Sequence, residues 1–380
     1  MTRPLIARVD SAALAHNLGV ARAAAPHSKI LAVVKADAYG HGLTRTARAL
    51  RGADAFAVLR VEEAAQLRGE GYSHPIVLLE GFFHPDELPE IARLRLRPVI
   101  HRADQADILA RTKLNQRVDV WLKLNTGMNR LGIDPKRLPE TLTTLRAAPH
   151  VGSITLMTHF ASADEENDSV ERQLARFQEA TRNLGLPASL ANSAALLRHP
   201  QSHADWVRPG IMLYGASPFA SSTLADQTGE DIGLLPAMTL ESKLIGIQFV
   251  HRGEGVGYGA RYIAERDMKI GVVACGYADG YPRHADTGTP ILVDNQLTRT
   301  LGRVSMDMLN VDLTPIPTAH VGSPVTLWGS GAVGGSADLR NRRAPCGCSG
   351  LPVEHVAAAA GTLSYELLTA LAPRVRVEET

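Results

Sequence analysis

Lys35 stands directly after an unbroken apolar run, residues 30–34, and directly before the turn-forming stretch Ala36-Asp37-Ala38-Tyr39-Gly40-His41-Gly42. The run reads as a buried strand, and a helical pattern follows at residues 43–50. An ammonium held where a buried strand stops is partly desolvated. Burial disfavours its charged form, so its pKa falls from about 10.4 toward the range in which a free amine attacks a carbonyl. That is what a Schiff-base lysine requires. An isolated lysine at a strand end more commonly snorkels to solvent. The two readings are separated by the other reactive residues that share its position in the fold.

The elements that must position those residues alternate. Apolar runs at 30–34, 55–58, 76–79, 98–100, 118–124, 154–158, 188–191 and 211–214 read as strands. Helical patterns lie between them, among them 10–24, 61–69, 137–147 and 168–185, with Asp10 and Asp168 as N-caps and Gly185 as a C-cap. Eight βα units in about 200 residues predict a TIM-type (β/α)8 barrel. An open doubly wound sheet would usually begin with a GxGxxG fingerprint, which is absent from the first turn. In a barrel, chemistry sits at the C-terminal ends of the strands. Lys35 ends the first, and Lys123, Asn125 and Arg130 lie at and after the fifth. His159 follows the sixth, Asn192 and Ser193 the seventh, while Arg208 precedes the eighth and Tyr214 ends it. Singly, each has a duller explanation: His159 as a satisfied strand-end residue, Asn192 and Ser193 as caps. Asn192-Ser193 also opens a helix whose free N–H groups and dipole suit a phosphate, and Gly210 lets backbone approach a ligand closely. A Schiff-base lysine and a phosphate cradle on one rim together describe pyridoxal 5'-phosphate.

The character changes after Tyr214. Residues 218–235 are rich in Ser, Thr, Asp and Gly and read as a connection. Beyond them, strand-like runs at 244–250, 268–273, 290–293, 300–304, 310–313 and 325–328 predict a mostly β C-terminal domain. The expected division is a barrel over 1–233 and a β domain over 234–380, with an irregular Gly/Arg/Cys insertion near 329–350, a helix at 353–360 and a closing segment at 362–370. Composition excludes several classes. The 380 residues are 45% hydrophobic and 21% charged with a formal net charge of +1, which offers nothing to nucleic acid or an anionic membrane. No long uncharged apolar run predicts a membrane span, and the N-terminus has charged residues where a secretory signal needs apolar ones. Three cysteines, Cys275, Cys346 and Cys348, suit a reducing, cytoplasmic setting, and no metal site is expected.

Read as a whole, AVVKADAYGHG at 32–42 resembles the cofactor-lysine motif of the alanine racemases. GMNRLG at 127–132, THFASAD at 158–164, ANSAA at 191–195 and VRPGIMLYG at 207–215 extend the resemblance in the family's order. So do VGYGARY at 256–262, GYADGY at 276–281, GRVSMDM at 302–308 and AGTLSYEL at 360–367. The resemblance implies a barrel plus a β domain, pyridoxal phosphate as cofactor, and a head-to-tail homodimer that interconverts L- and D-alanine and so supplies D-alanine for peptidoglycan. It implies that Lys35 carries the cofactor and acts as one acid/base, with Tyr258 of the partner subunit as the other. Tyr39, Ser193, Gly210, Ile211 and Tyr365 would hold the phosphate. Arg208 would donate to the ring nitrogen with His159 beside it. Arg130 would bind the cofactor's phenolic oxygen and the substrate carboxylate, steadied by Lys123 as a carbamate, and Met306 of the partner would offer its N–H to that carboxylate. Asn192 and Asp164 would support these groups, and Tyr277 and Arg283 would line the entry.

Racemisation removes a proton from one face of a carbon and returns one to the other, so an amine and a phenol on opposite faces suit it. An arginine at the ring nitrogen only donates and stays charged, which leaves that nitrogen unprotonated and limits side reactions such as transamination. A decarboxylase of the same barrel class would be expected to place a carboxylate there. A broad-specificity racemase of the same fold and a non-catalytic pyridoxal phosphate carrier are the remaining alternatives. The carrier would lack the second domain that holds Tyr258.

Overall fold

The computed structural model describes residues 3–219, 227–331 and 350–380. Its chain divides into two units: Ala15–Leu213, and Met1–Leu14 together with Tyr214–Thr380. The first strand, β1 (Ile6–Val9), leads into the helix Ser11–Ala24. Asp10 caps that helix as expected, its Oδ1 accepting from the N–H groups of Ala12 at 2.8 Å and Ala13 at 2.9 Å.

The unit Ala15–Leu213 is a closed parallel barrel. Its strands are β2 (Lys29–Val33), β3 (Ala55–Val58), β4 (Ile76–Leu78), β5 (Leu96–Ile100), β6 (Val118–Lys123), β7 (Val151–Met157), β8 (Ala188–Ser189) and β9 (Trp206–Val207). β3 and β4 are buried at every position, as parallel strands sandwiched between a core and a ring of helices must be. Closure is made by β9 beside β2, with Lys29 opposite Trp206 and Ile30 opposite Val207.

Two expectations fail here for stated reasons. The eighth strand is Trp206–Val207, whereas Ile211–Tyr214 is a 3-10 turn, begun by the bond from Leu213 N–H to Gly210 C=O at 2.8 Å. A four-residue apolar run has no period that tells strand from turn. Arg208 therefore follows the last strand instead of preceding it, and Tyr214 ends no strand. The helix expected to reach Gly185 spans only Ser169–Thr181, so Gly185 is not its cap. Asp168 makes no side-chain cap and pairs with Arg172 instead.

The second unit is built on β10 (Met238–Val250), a 13-residue strand. β11 (Gly255–Val256) and β12 (Tyr262–Ile263) form a small hairpin. β13 (Met268–Val273), β14 (Pro290–Val293), β15 (Gln296–Leu301), β16 (Leu309–Asp312), β17 (Pro324–Ser330), β18 (Gly350–Leu351) and β19 (Arg376–Glu379) complete it. The sheet order is β18-β17-β14-β15-β16-β13-β10-β1-β19. β17 also pairs with β10, so six of these strands close a ring. Met1–Leu14 groups with Tyr214–Thr380, because β1 lies between β10 and β19 in this sheet. Nothing in a four-residue strand near the terminus reveals partners more than two hundred residues away. The insertion expected over 329–350 falls mostly on 332–349, outside the described residues, as do Cys346 and Cys348; Gly329 and Gly350 themselves belong to β17 and β18. Among the described residues, no helix is long and apolar enough to cross a membrane.

The place of β1 is testable. Ala7, at its centre, is wholly buried. Ala7→Asp should strand a carboxylate inside the second unit and cost about 3 kcal/mol or more. Thermal unfolding should fall by several degrees; an unchanged midpoint would mean that residues 6–9 are not part of this sheet.

Candidate active site

The C-terminal rim of the barrel begins with Lys35, just past β2. The next four residues, Ala36, Asp37, Ala38 and Tyr39, have φ between 50° and 55°, and Gly40 follows at 79°. This is a full left-handed turn. Left-handed conformations cost residues with a Cβ about 1–2 kcal/mol each, so the turn needs support. It is held by bonds from Ala38 N–H to Val34 C=O, Gly40 to Ala36, His41 to Ala38 and Gly42 to Asp37, all between 2.9 and 3.0 Å. Asp37 Oδ1 also accepts from Leu43 N–H at 2.7 Å, tying the turn to the next helix, Leu43–Ala49. The turn brings the Tyr39 side chain to Gly210, just past the last strand. A Cβ on Gly210 would lie 2.6 Å from Tyr39 Oη, so any larger residue there would force Tyr39 to shift. Gly210 N–H donates to Ser193 Oγ at 2.9 Å. Ser193 opens the helix Ser193–Arg198, whose N-cap Asn192 accepts from Ala195 N–H at 3.0 Å. Ile211 is buried beside Gly210.

Arg208 is 4% exposed. Its Nη1 donates to Ser189 Oγ at 2.8 Å, and its Nη2 to the carbonyls of Thr158 at 2.7 Å and Leu190 at 2.9 Å. Nη2 also lies 3.2 Å from His159 Nδ1. Arginine can only donate, so Nδ1 must accept and the imidazole proton sits on Nε2. Burial, with Arg208, Lys123, Arg130 and Lys35 around it, holds His159 well below its ordinary pKa and therefore neutral. Burial lowers Arg208 to about 9, still charged at neutral pH. Every acceptor it has in the protein is neutral, and its Nε–H meets none among the described residues.

Lys123 ends β6 and is 5% exposed. Burial, then Arg208, Arg130 and Lys35, push its pKa down to about 8, with Glu80 opposing. Lys35 is lowered by burial and then by Arg130, with Glu80 and Glu63 opposing. Arg130 is carried on a loop pinned at both ends: Asn125 N–H donates to Ile133 C=O and Ile133 N–H to Lys123 C=O, each at 2.9 Å. Asn125 Oδ1 accepts from Gly127 and Asn129 N–H inside it. Asp164 lies in the loop after β7, where its carbonyl accepts from Arg198 at 3.3 Å.

The sequence reading missed two supports of this rim. Ser189 is a fully buried hydroxyl that donates to Trp206 C=O and accepts from Arg208. Gln173 bonds Thr126 Oγ1, the carbonyl of His159 and the N–H of Ala161 at once, joining the loops after β6 and β7. Its signal was available: Gln173 sits on the buried stripe of its helix with Val170 and Phe177, where a polar residue needs internal partners.

The remaining predicted residues belong to the second unit. Tyr258 sits on the turn between β11 and β12 and is 69% exposed. Val256 and Tyr262 anchor the hairpin on the core of Val250, Ala264, Met268, Ile270 and Leu301. Met306, also exposed, lies on the loop before β16. Tyr277 opens a 3-10 turn after β13, with the Arg283 guanidinium 6.0 Å from its ring centre. Tyr365 is exposed on the helix Ser364–Thr369.

A closed parallel barrel with a desolvated lysine at its C-terminal rim, together with a mostly β unit, defines a two-unit barrel-plus-β protein with an amine placed for chemistry at the rim. Residues 9–218 match the family model described as alanine racemase, N-terminal domain, and residues 237–378 match alanine racemase, C-terminal domain. The chain belongs to the alanine racemase family. It is 52% identical to an alanine racemase of Nitrosospira multiformis over 99% of both chains, and 49% identical to a catabolic alanine racemase of Klebsiella aerogenes over 99% of both. The crystal structure of the biosynthetic alanine racemase from Pseudomonas aeruginosa superposes with a TM-score of 0.91 at 46% identity, covering 100% of each chain.

The electrostatics of Lys123 make a prediction. Its folded pKa of about 8 lies below the 10.5 of a free lysine, so the unfolded chain binds that proton more tightly. Stability should then rise with pH between those values, and below pH 8 the full penalty applies, roughly 3 kcal/mol. Lys123→Met, in carbon dioxide-free buffer, should be more stable than the parent at pH 7 by up to that amount, with the gap closing as pH rises above 8. Urea unfolding at pH 7 and pH 9.5 reads this directly. A gap that does not change with pH would show that Lys123 is not strained in its charged form.

Proposed function

We propose that the chain interconverts L- and D-alanine with pyridoxal 5'-phosphate bound at the barrel rim. The observation that carries this reading is the sharing of one rim by a desolvated amine, Lys35, and a buried guanidinium, Arg208, that has no anionic partner among the described residues. The donor set fits that cofactor at three points. Lys35 suits its aldehyde and the free Nε–H of Arg208 its ring nitrogen, while Ser193, Tyr39, Ile211 and the close backbone approach at Gly210 suit its phosphate; Tyr365 is assigned to that phosphate by the family resemblance alone.

When bound, the cofactor supplies an electron-withdrawing ring that acidifies the Cα–H of the attached amino acid. Lys35 Nζ takes or returns the proton on one face of that carbon. Tyr258 Oη serves the other face and comes from a second copy of the chain. Arg208 stays a donor and has no proton to give at neutral pH, so the ring nitrogen is not protonated by it. Arg130 and the Met306 N–H of the second copy bind the substrate carboxylate. Lys123, lowered to about 8 and so accessible as the free amine, adds to carbon dioxide through its nitrogen lone pair and releases its protons to solvent, so that a cation crowded by three others becomes a carbamate anion that steadies Arg130. Asn192 and Asp164 support these groups, and Tyr277 and Arg283 line the approach. The enzyme acts in the cytoplasm and feeds D-alanine to peptidoglycan synthesis.

Purified protein should racemise L-alanine well above L-serine and L-lysine. Borohydride should fix the cofactor to the peptide containing Lys35; an adduct on another lysine would refute the assignment. The sharing of sites has its own test. Lys35→Ala and Tyr258→Phe should each abolish activity. A mixed dimer of the two should regain it, because one of its sites combines an intact Lys35 with an intact Tyr258. A verified mixed dimer with no activity above its parents would refute the shared site.

A further inference from the structure

In the second unit, the turn that carries Tyr277 and the loop that carries Met306 are locked together, and one buried carboxylate sits at the junction. Asp279 is 1% exposed. Its Oδ1 accepts from Arg374 Nε at 2.7 Å, and its Oδ2 accepts from Arg3 Nη2 at 2.7 Å and Gly276 N–H at 2.9 Å. The same arginines reach the Met306 loop: Arg374 Nη2 donates to Asp307 Oδ1 and Arg3 Nη2 to the carbonyl of Asp307, each at 2.6 Å. Two guanidinium groups thus bridge the turn to the loop, with Asp279 as the anion they share.

The backbone is locked at the same place. Tyr277 N–H donates to Ser305 C=O at 3.1 Å, and Ala278 N–H to Met306 C=O at 3.0 Å. Gly276 packs so closely that a Cβ there would lie 2.4 Å from the carbonyl oxygens of Ser305 and Met306. In a trans peptide the N–H points opposite to the C=O. Holding Ser305 C=O toward Tyr277 therefore aims the Met306 N–H away from the turn. A hydrogen-bond donor aimed by its own carbonyl loses its direction when the turn shifts.

We propose that Asp279 is a positioning residue for substrate-carboxylate recognition, fixing the Tyr277 turn against the Met306 loop so that the Met306 N–H keeps one direction. This rests on the reading that Met306 N–H binds that carboxylate. In Asp279→Asn one side-chain atom becomes a donor facing donors, so the amide cannot accept from Arg374, Arg3 and Gly276 together. With the cofactor-loaded enzyme, KM for L-alanine should rise about tenfold, the loss of one hydrogen bond to a charged group. kcat should stay within about threefold, since the groups that move the proton are untouched. Unchanged KM, or a fall in kcat alone, would overturn the proposal. If Asp279→Asn does not fold, Arg3→Ala at the exposed side of the bridge is read in its place: a smaller rise in KM is expected, and an unchanged KM overturns the proposal. Met306→Pro removes the N–H itself. If KM is unchanged in a folded Met306→Pro enzyme, the carboxylate reading fails and the proposal with it. If Met306→Pro raises KM and the Asp279 variant does not, only the positioning role is lost.

Discussion

Crowded positive charge is the constraint on which the barrel site depends. Lys35, Lys123, Arg130 and Arg208 act on one another across the rim, with Glu80 and Glu63 opposing. Buried cations without anions lose the favourable solvation of their charged forms. Lysines respond by giving up the proton near neutral pH, while Arg208, although lowered, remains charged there. One field therefore yields amines able to act as bases or nucleophiles, a neutral His159, and a guanidinium that only donates. The same field favours ligands that bring negative charge, such as a phosphate or a carboxylate.

That crowding persists only because the rim is rigid. Barrel closure sets β2 beside β9 through bonds from Lys29 N–H to Asp205 C=O at 2.8 Å and from Val33 N–H to Pro209 C=O at 3.0 Å. The left-handed turn after Lys35 then folds Tyr39 against Gly210, and Gln173 ties the loops after β6 and β7 together. Strain and desolvation are concentrated at this rim, and a dense set of hydrogen bonds offsets them.

The second unit solves a different problem. It carries Tyr258, Met306 and Tyr277 on firm supports and leaves them exposed. The closed ring of strands supplies the base, and the hairpin core under Tyr258 and the arginine bridge at Asp279 fix the projections. Exposed aromatic and sulfur side chains on such stiff supports suit residues that work against a ligand or a second copy of the chain.

Much of this was legible in the sequence. The apolar run ending at Lys35, the βα alternation and the β-rich second half each follow from local periodicity, which depends on which face of a strand or helix is buried. Local pattern also placed Lys123, His159 and Ser193 near strand ends. What it could not supply was any fact that depends on partners distant in the chain. The eighth strand was mistaken for Ile211–Tyr214, because two residues pairing with β2 leave no periodic trace. The strand at residues 6–9 has no local signature, because its partners, β10 and β19, lie far along the chain. The left-handed sense of residues 36–39 and the roles of Ser189, Gln173 and Asp279 were decided only by tertiary structure. A buried polar side chain is defined by what faces it, and the chain meets those partners only when it folds.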